Sequence, residues 1–190
     1  MKLNKDTYEI IFFARGGQGA KAAAEILAQA ALKEGKFVQA FPLFGPERSG
    51  APTKTFLKIS RSVIRSHEPI TDPDLIVVLD ETLLGEKGIT EKLDENETLI
   101  INSSKNREEL ALKLPDFRGT IYPIDANSIS AKIIGQSRPN TSILGKLVKV
   151  SEIVKLESIK EEFRRIFETK VGKVETDKNI LAIEKAYDSL

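Results

Sequence analysis

Three glycines near the N-terminus are the residues best suited to hold a ligand. They stand in the run Arg15-Gly16-Gly17-Gln18-Gly19, between an apolar stretch at 8–14 and an alanine-rich stretch at 20–34. Glycine permits backbone angles and close approaches that a Cβ forbids. At the start of a helix, free N–H groups and the positive end of the helix dipole favour a phosphate or carboxylate. The run therefore predicts an anion-binding turn between a strand and a helix.

The spacing of this turn argues against two common nucleotide sites. The dinucleotide pattern needs a glycine where Ala14 stands, and the second predicted strand, 37–41, ends without the Asp or Glu that holds a ribose. The Gly-Lys-Ser/Thr ending of a triphosphate P-loop is absent as well. A turn whose glycines only let the helix pack on the sheet is the alternative.

A second group of residues with binding chemistry lies at 42–52. This stretch holds three prolines, two glycines and the adjacent charges Glu47 and Arg48, a composition typical of a loop. It follows the second predicted strand, and parallel strands bring their carboxyl ends to one edge of a sheet. Arg48 is therefore expected near the glycine turn. A solvated Glu47–Arg48 pair of little energetic value is the alternative.

Two further polar positions are predicted to cap helices. The acids Asp80 and Glu81 end the apolar run 75–79. Paired carboxylates can serve as acid and base, but nothing in the pattern indicates perturbed ionisation, and we favour Asp80 as the cap of a helical turn that begins near Thr82. Asn140 is predicted to cap a helix over 141–150. No catalytic residue and no metal site can be named.

Composition limits the classes of protein that fit. The 190 residues are 41% hydrophobic, which predicts one domain over residues 1–190. A formal net charge of +1 without a basic stripe argues against nucleic acid as a partner. Zero cysteines exclude a cysteine nucleophile and iron–sulfur ligands within this sequence. We expect a cytoplasmic protein with no membrane partner, because no signal peptide and no apolar run of roughly 20 residues is found.

The order of apolar runs and helical patterns predicts the α/β class. We expect a Rossmann-like three-layer domain with a largely parallel sheet, in which the strand at 37–41 runs parallel to the first. An antiparallel hairpin is predicted near 53–66, with a turn at 60–62. After residue 151, apolar residues recur every three or four positions, which predicts C-terminal amphipathic helices that pack on the core.

The residues also carry a family resemblance that spacing alone does not supply. The glycine run is followed by Gln39-Ala40-Phe41-Pro42, by Phe44-Gly45-x-Glu47-Arg48-x-Gly50-Ala51-Pro52 and, near the end, by Lys178-Asn179-Ile180-x-Ala182-Ile183. This combination resembles the γ subunit of pyruvate:ferredoxin oxidoreductase and its 2-oxoisovalerate relatives. The resemblance covers essentially the whole chain.

The resemblance implies one part of a complex that makes acyl-CoA, CO2 and reduced ferredoxin from a 2-oxoacid, with pyruvate as the expected substrate, and CoA. Its partners would be the α, β and δ subunits and, through the complex, ferredoxin. Thiamine pyrophosphate and [4Fe-4S] clusters would lie in partner chains, with no cofactor bound by this chain alone. A purely structural subunit, or a separate α/β domain with its own phosphorylated ligand, is the alternative. The residues expected to help hold CoA are Gly16, Gly17, Gln18, Gly19, Glu47, Arg48 and Asn140.

Overall fold

Over the residues that the computed structural model describes, 6–43, 50–85, 89 and 95–189, six strands form one sheet. Its strand order is β2-β3-β1-β4-β5-β6. Neighbours from β1 to β6 pair in parallel, whereas β3 is antiparallel to both β1 and β2. Five strands therefore share one direction, which confirms the largely parallel sheet. The strands are β1 (Thr7–Arg15), β2 (Phe37–Leu43), β3 (Pro52–Ser60), β4 (Leu75–Val78), β5 (Thr98–Asn102) and β6 (Thr120–Ile124).

The antiparallel hairpin has different strands from those predicted. It is formed by β2 and β3, and residues 61–70 contain no strand, so the predicted pairing around 60–62 is wrong. The reason lies in the register of β3. All nine of its residues pair with β1 on one side, and seven of them pair with β2 on the other. Both edges of β3 are thus occupied, which leaves no place for residues 63–66. β2 runs parallel to β1 as predicted, with β3 between them.

The central strand β1 is buried on both faces, which explains its unbroken apolar sequence. Ile10 and Phe12 belong to the core on one face of the sheet, and Ile11 and Phe13 to the core on the other. The first face is covered by α1, α3, α4, α5 and α6, and the second by α2 and a short 3-10 helix (Glu81–Gly85). The three predicted layers are confirmed. The helices are α1 (Ala20–Lys33), α2 (Arg107–Ala111), α3 (Ala126–Ile134), α4 (Pro139–Ser151), α5 (Leu156–Val171) and α6 (Lys173–Tyr187).

Close packing against α6 fixes the position of α4 beside the sheet. Gly145 lets α4 approach α6 so closely that a Cβ at this position would overlap the carbonyl oxygen of Ile183. The predicted amphipathic helices are confirmed as α5, which buries Phe163, and α6, which buries Ile183. In the part of the chain that the structure describes, no helix combines the length and apolar content needed to cross a membrane.

Candidate anion-binding site at the glycine turn

The glycine turn joins β1 to α1, as the sequence predicts. β1 ends at Arg15 and α1 begins at Ala20. Gly17 has φ 96° and Gly19 has φ 82°, so both lie in the left-handed region that favours glycine. Gly19 occupies the N-cap position without a side-chain cap, and the first turn of α1 has no acidic residue. The positive end of this helix is therefore left available to an anion.

Asn140 lies at the same turn, although it does not cap α4. The helix begins at Pro139, with Arg138 as the N-cap residue and no side-chain cap. The predicted cap at Asn140 is wrong. Proline is favoured in the first helical position, so the helix begins at Pro139, two residues earlier than predicted. The Asn140 side chain instead packs on Gly19, where a Cβ would lie 2.6 Å from its Cγ and Nδ2 atoms. The N-termini of α1 and α4 thus meet.

Gln18 holds the turn in shape with its side chain. Its Oε1 atom accepts a hydrogen bond of 2.7 Å from the Arg15 N–H, and its Nε2 atom donates one of 2.8 Å to Asp80 Oδ2. Of the residues predicted to hold CoA, the structure brings the glycine turn and Asn140 together. Glu47 and Arg48 lie outside the described residues.

Asp80 reaches the turn from the carboxyl end of β4. Its Oδ1 atom accepts from the Thr82 N–H at 3.0 Å and from Thr82 Oγ1 at 2.6 Å, which confirms the predicted cap. Its Oδ2 atom lies 3.5 Å from Arg15 Nε. Burial acts to raise the pKa of Asp80, but the hydrogen bonds from Thr82 and Gln18 and the charge of Arg15 outweigh it and lower this pKa. We call Arg15, Gln18, Asp80 and Thr82 the β1–β4 cluster.

The guanidinium of Arg15 links this cluster to the chain that enters β3. Nε and Nη2 donate to Thr82 Oγ1 at 3.2 and 2.8 Å, and Nη1 donates to the carbonyl oxygen of Gly50 at 3.2 Å. Two backbone bonds complete the connection, from Gly16 N to Ala51 O at 2.8 Å and from Gly50 N to Gly16 O at 3.2 Å. The glycine turn and the chain at Gly50 are therefore one unit.

Glu81, the neighbour of Asp80, faces the other side of β4. Its carboxylate accepts hydrogen bonds from Ser103 Oγ and Lys105 Nζ, and Lys113 Nζ lies 3.5 Å away. The bond from Lys105 is the largest influence on the pKa of Glu81, and the pKa lies below its ordinary value. We call Glu81, Ser103, Lys105 and Lys113 the β4–β5 cluster. Because donors hold both adjacent acids in the ionised form, neither is poised to release and recapture a proton near neutral pH.

The β1–β4 cluster was missed in the sequence because its members come from distant strands. The pattern places a charged residue at the carboxyl end of each of two buried strands, Arg15 as the last residue of β1 and Asp80 two residues after the end of β4. The sequence therefore shows both charged residues, but it does not show that they are neighbours. That depends on the strand order, in which β4 rather than β2 lies beside β1.

Fold and site together define an α/β domain with a glycine turn after its first strand that is a candidate anion site. Residues 9–189 match the model of the pyruvate ferredoxin/flavodoxin oxidoreductase family. The chain belongs to this family, which confirms the resemblance found in the sequence. It is 44% identical over 180 residues, 95% of each chain, to a protein of Thermococcus kodakarensis named pyruvate/ketoisovalerate oxidoreductases common subunit gamma.

Solved structures agree with this assignment. The crystal structure of pyruvate oxidoreductase subunit PORC from Thermotoga maritima matches with a TM-score of 0.87, 39% identity and 97% coverage of both chains. The 2-oxoglutarate:ferredoxin oxidoreductase of Magnetococcus marinus has the same fold in 31% of its chain, at a TM-score of 0.77 and 21% identity. The named relatives of similar length are subunits, so each is one part of a larger enzyme.

Proposed function

We propose that this chain is the γ subunit of a 2-oxoacid:ferredoxin oxidoreductase, with pyruvate as the expected substrate and acyl-CoA, CO2 and reduced ferredoxin as the products. The support is a family match over residues 9–189 and 44% identity to a gamma subunit over 95% of both chains. The chain acts in the cytoplasm as one domain and is inactive alone. Its partners are the α, β and δ subunits and, through the complex, ferredoxin, with no role for nucleic acid or a membrane.

The catalytic groups of this enzyme lie in the partner chains. The sequence contains no cysteine, so it offers no thiolate for a [4Fe-4S] cluster. Thiamine pyrophosphate and the clusters belong to the partners, and CoA is the co-substrate that this chain helps to hold. Exposed apolar side chains offer surfaces for those partners. Phe37 and Leu43 on β2 are 42% and 52% exposed, and Val174 and Leu181 on α6 are 69% and 52% exposed.

The glycine turn is the place where this chain holds CoA phosphates. The observation that carries this proposal is the meeting of two helix N-termini at Gly19 and Asn140. Neither helix has a side-chain cap or an acidic residue in its first turn. Each such end favours an anion by about 0.3–1 kcal/mol, and more where the site is partly buried. Arg48 stands two residues before Gly50 in the sequence, and it would supply a charge-assisted bond to the phosphate worth about 1.5–3 kcal/mol.

Co-purification tests the subunit assignment. The tagged chain, expressed in its native source, should bring down brown iron–sulfur proteins in fixed ratio, whereas the isolated chain should be colourless and inactive. A stable monomer that never binds α, β or δ chains when they are mixed would show that the assignment is wrong. So would a stoichiometric flavin, nicotinamide or iron–sulfur absorbance from the isolated chain.

Replacement of Asn140 by Asp tests the CoA site. A carboxylate in the first turn of α4 suits the helix dipole, so the protein should fold, but it repels a phosphate at Gly19. We expect Asn140→Asp to raise the KM for CoA of the reconstituted complex about tenfold, and Arg48→Ala by about ten- to a hundredfold. Asn106→Asp is the matched control, because it makes the same charge change at the N-cap of α2 on the other face of the sheet.

The control should fold normally, since Asn and Asp cap helices equally well. It should leave the KM for CoA unchanged because its new charge lies on the other face of the sheet. If Asn140→Asp and Arg48→Ala both assemble normally and leave the KM and kcat unchanged, the glycine turn does not hold CoA. The chain would then have a structural role in the complex.

A further inference from the structure

Asp80 lies behind the glycine turn and is connected to it from two directions. We propose that Asp80 is a positioning residue, which sets the geometry of the glycine turn and of the chain at Gly50 through Gln18 and Arg15. It does so without contacting the ligand. The proposal rests on the proposed function, because the property that Asp80 controls is the affinity of the turn for CoA phosphates.

The first connection runs through the amide of Gln18. Its Oε1 atom accepts a hydrogen bond from the Arg15 N–H, and its NH2 group donates one to Asp80 Oδ2. An ionised carboxylate only accepts hydrogen bonds, so the Gln18 amide has one allowed orientation. The residue in the middle of the turn is thereby fixed to β4.

The second connection runs through the guanidinium of Arg15. Its planar fork binds Thr82 Oγ1 on one side and the Gly50 carbonyl on the other. The Thr82 hydroxyl in turn donates to Asp80 Oδ1, and Asp80 Oδ2 lies beside Arg15 Nε. A single carboxylate therefore anchors both the turn after β1 and the chain that enters β3. The side chain of Asp80 is 19% exposed, and its bond to Gln18 is partly buried, whereas the bonds of Arg15 and Thr82 are exposed to solvent.

Reversal of the Gln18–Asp80 hydrogen bond tests the proposal. Asp80→Asn alone turns an acceptor into a donor, so the NH2 groups of residues 18 and 80 face each other, or the Thr82 N–H loses its acceptor. Gln18→Glu alone sets two carboxylates against each other. In the double variant, Glu accepts from Asn and still accepts from the Arg15 N–H. The hydrogen bonds between residues 15, 18, 80 and 82 are then matched again with the polarity of the 18–80 bond reversed, and only the 3.5 Å ion pair of Arg15 with Asp80 is lost.

Each single variant should raise the KM for CoA of the reconstituted complex about tenfold. The double variant should have a lower KM than Gln18→Glu alone, because it keeps the new carboxylate in the turn but restores the hydrogen bonds that shape it. Hydrogen exchange of peptides containing residues 16–19 and 50–51 in the complex should quicken in the single variants and recover in the double variant. Glu81→Gln is the matched control. It makes the same acid-to-amide change one residue away and should leave both measurements unchanged.

The proposal is overturned if the effects of the two single variants multiply in the double variant, or if the single variants leave hydrogen exchange at the turn unchanged. Exchange that quickens and recovers while the KM for CoA never moves has a different meaning. It would keep Asp80 as the residue that positions the turn, and it would show that CoA does not bind there.

Discussion

The two polar clusters on either side of β4 have similar chemistry and different neighbours. Each is built around a carboxylate, and Asp80 and Glu81 are adjacent in the sequence. Asp80 is bound to the glycine turn and, through Arg15, to the backbone of Gly50. Glu81 is bound to Ser103 and to two lysine side chains, so its cluster joins β4 to the chain after β5.

A charged cluster at the ligand-binding edge of a sheet is therefore not functional by position alone. The β1–β4 cluster shapes backbone that faces a candidate anion site. In the β4–β5 cluster, the Glu81 carboxylate contacts the side chains of the other members. A change in the first cluster should therefore alter ligand binding, whereas a change in the second should alter only stability.

Gly19→Ala should give the largest effect on the glycine-turn side of β4. A Cβ at this position meets Asn140, and the positive φ is unfavourable for alanine. We expect the free energy of unfolding to fall by about 2–4 kcal/mol, together with weaker use of CoA. Urea unfolding of the full chain measures the first effect, and the KM for CoA of the complex measures the second.

Gly17→Ala is the control for that variant. Gly17 also has a positive φ, but a Cβ added there would meet none of the residues that the structure describes within 4 Å, so we expect only the backbone term of about 1–2 kcal/mol. Equal losses in the two glycine variants would mean that the Asn140 contact contributes nothing to the packing of the turn.

Alanine at Asp80 and at Glu81 compares the two clusters directly. Asp80→Ala removes a cap and the acceptor of Gln18, and we expect a loss of about 1–2 kcal/mol. Glu81→Ala removes a half-buried ion pair and should cost up to about 1 kcal/mol. Thermal unfolding should register both changes, but the KM for CoA should rise only for Asp80→Ala, about tenfold.

A rise in the KM for CoA of similar size in both variants would remove the distinction between the clusters. The same holds if Asp80→Ala unfolds more easily but binds CoA as wild type does. In either case the β1–β4 cluster would be a structural feature like its neighbour.

Local patterns in the sequence were enough to predict the layers and the turn. The apolar run of β1, the glycines after it and the three- to four-residue period of α5 and α6 each depend on neighbours along the chain. Strand order depends on contacts between distant residues, so the insertion of β3 between β1 and β2 was not predicted. The hairpin near 53–66 was wrong for the same reason.

The site was predicted in part. The turn could be predicted because several glycines between a strand and a helix indicate backbone angles that other residues do not adopt. The cap at Asn140 was wrong because Pro139 starts the helix earlier, and the same shift brings Asn140 to Gly19. The contact between Arg15 and Asp80 needed the pairing of β1 with β4. Glu47 and Arg48 stay predictions.

The pH dependence of stability should separate the two clusters by a smaller effect. The pKa of Glu81 is lower in the folded protein than its ordinary value of 4.5, and that of Asp80 is lower than 3.8. A carboxylate with a lowered pKa stabilises the fold at pH values above its unfolded pKa, and this contribution is lost as the pH falls through the folded pKa. Acid should therefore weaken the Glu81 interactions first, because the unfolded carboxyl of Glu81 takes up its proton at the higher pH.

Glu81→Gln removes this titration. The wild-type chain should lose more stability than the variant between about pH 5 and pH 3, by a few tenths of a kcal/mol because the group is partly exposed. The midpoint of urea unfolding across this range measures the difference. Asp80→Asn should likewise lose less stability in acid than wild type. This difference should begin at lower pH, since the unfolded pKa of Asp80 is lower than that of Glu81. Parallel pH profiles for wild type and Glu81→Gln would mean that Lys105 and Lys113 do not stabilise the ionised carboxylate, and the β4–β5 cluster would then contribute no charge-dependent stability.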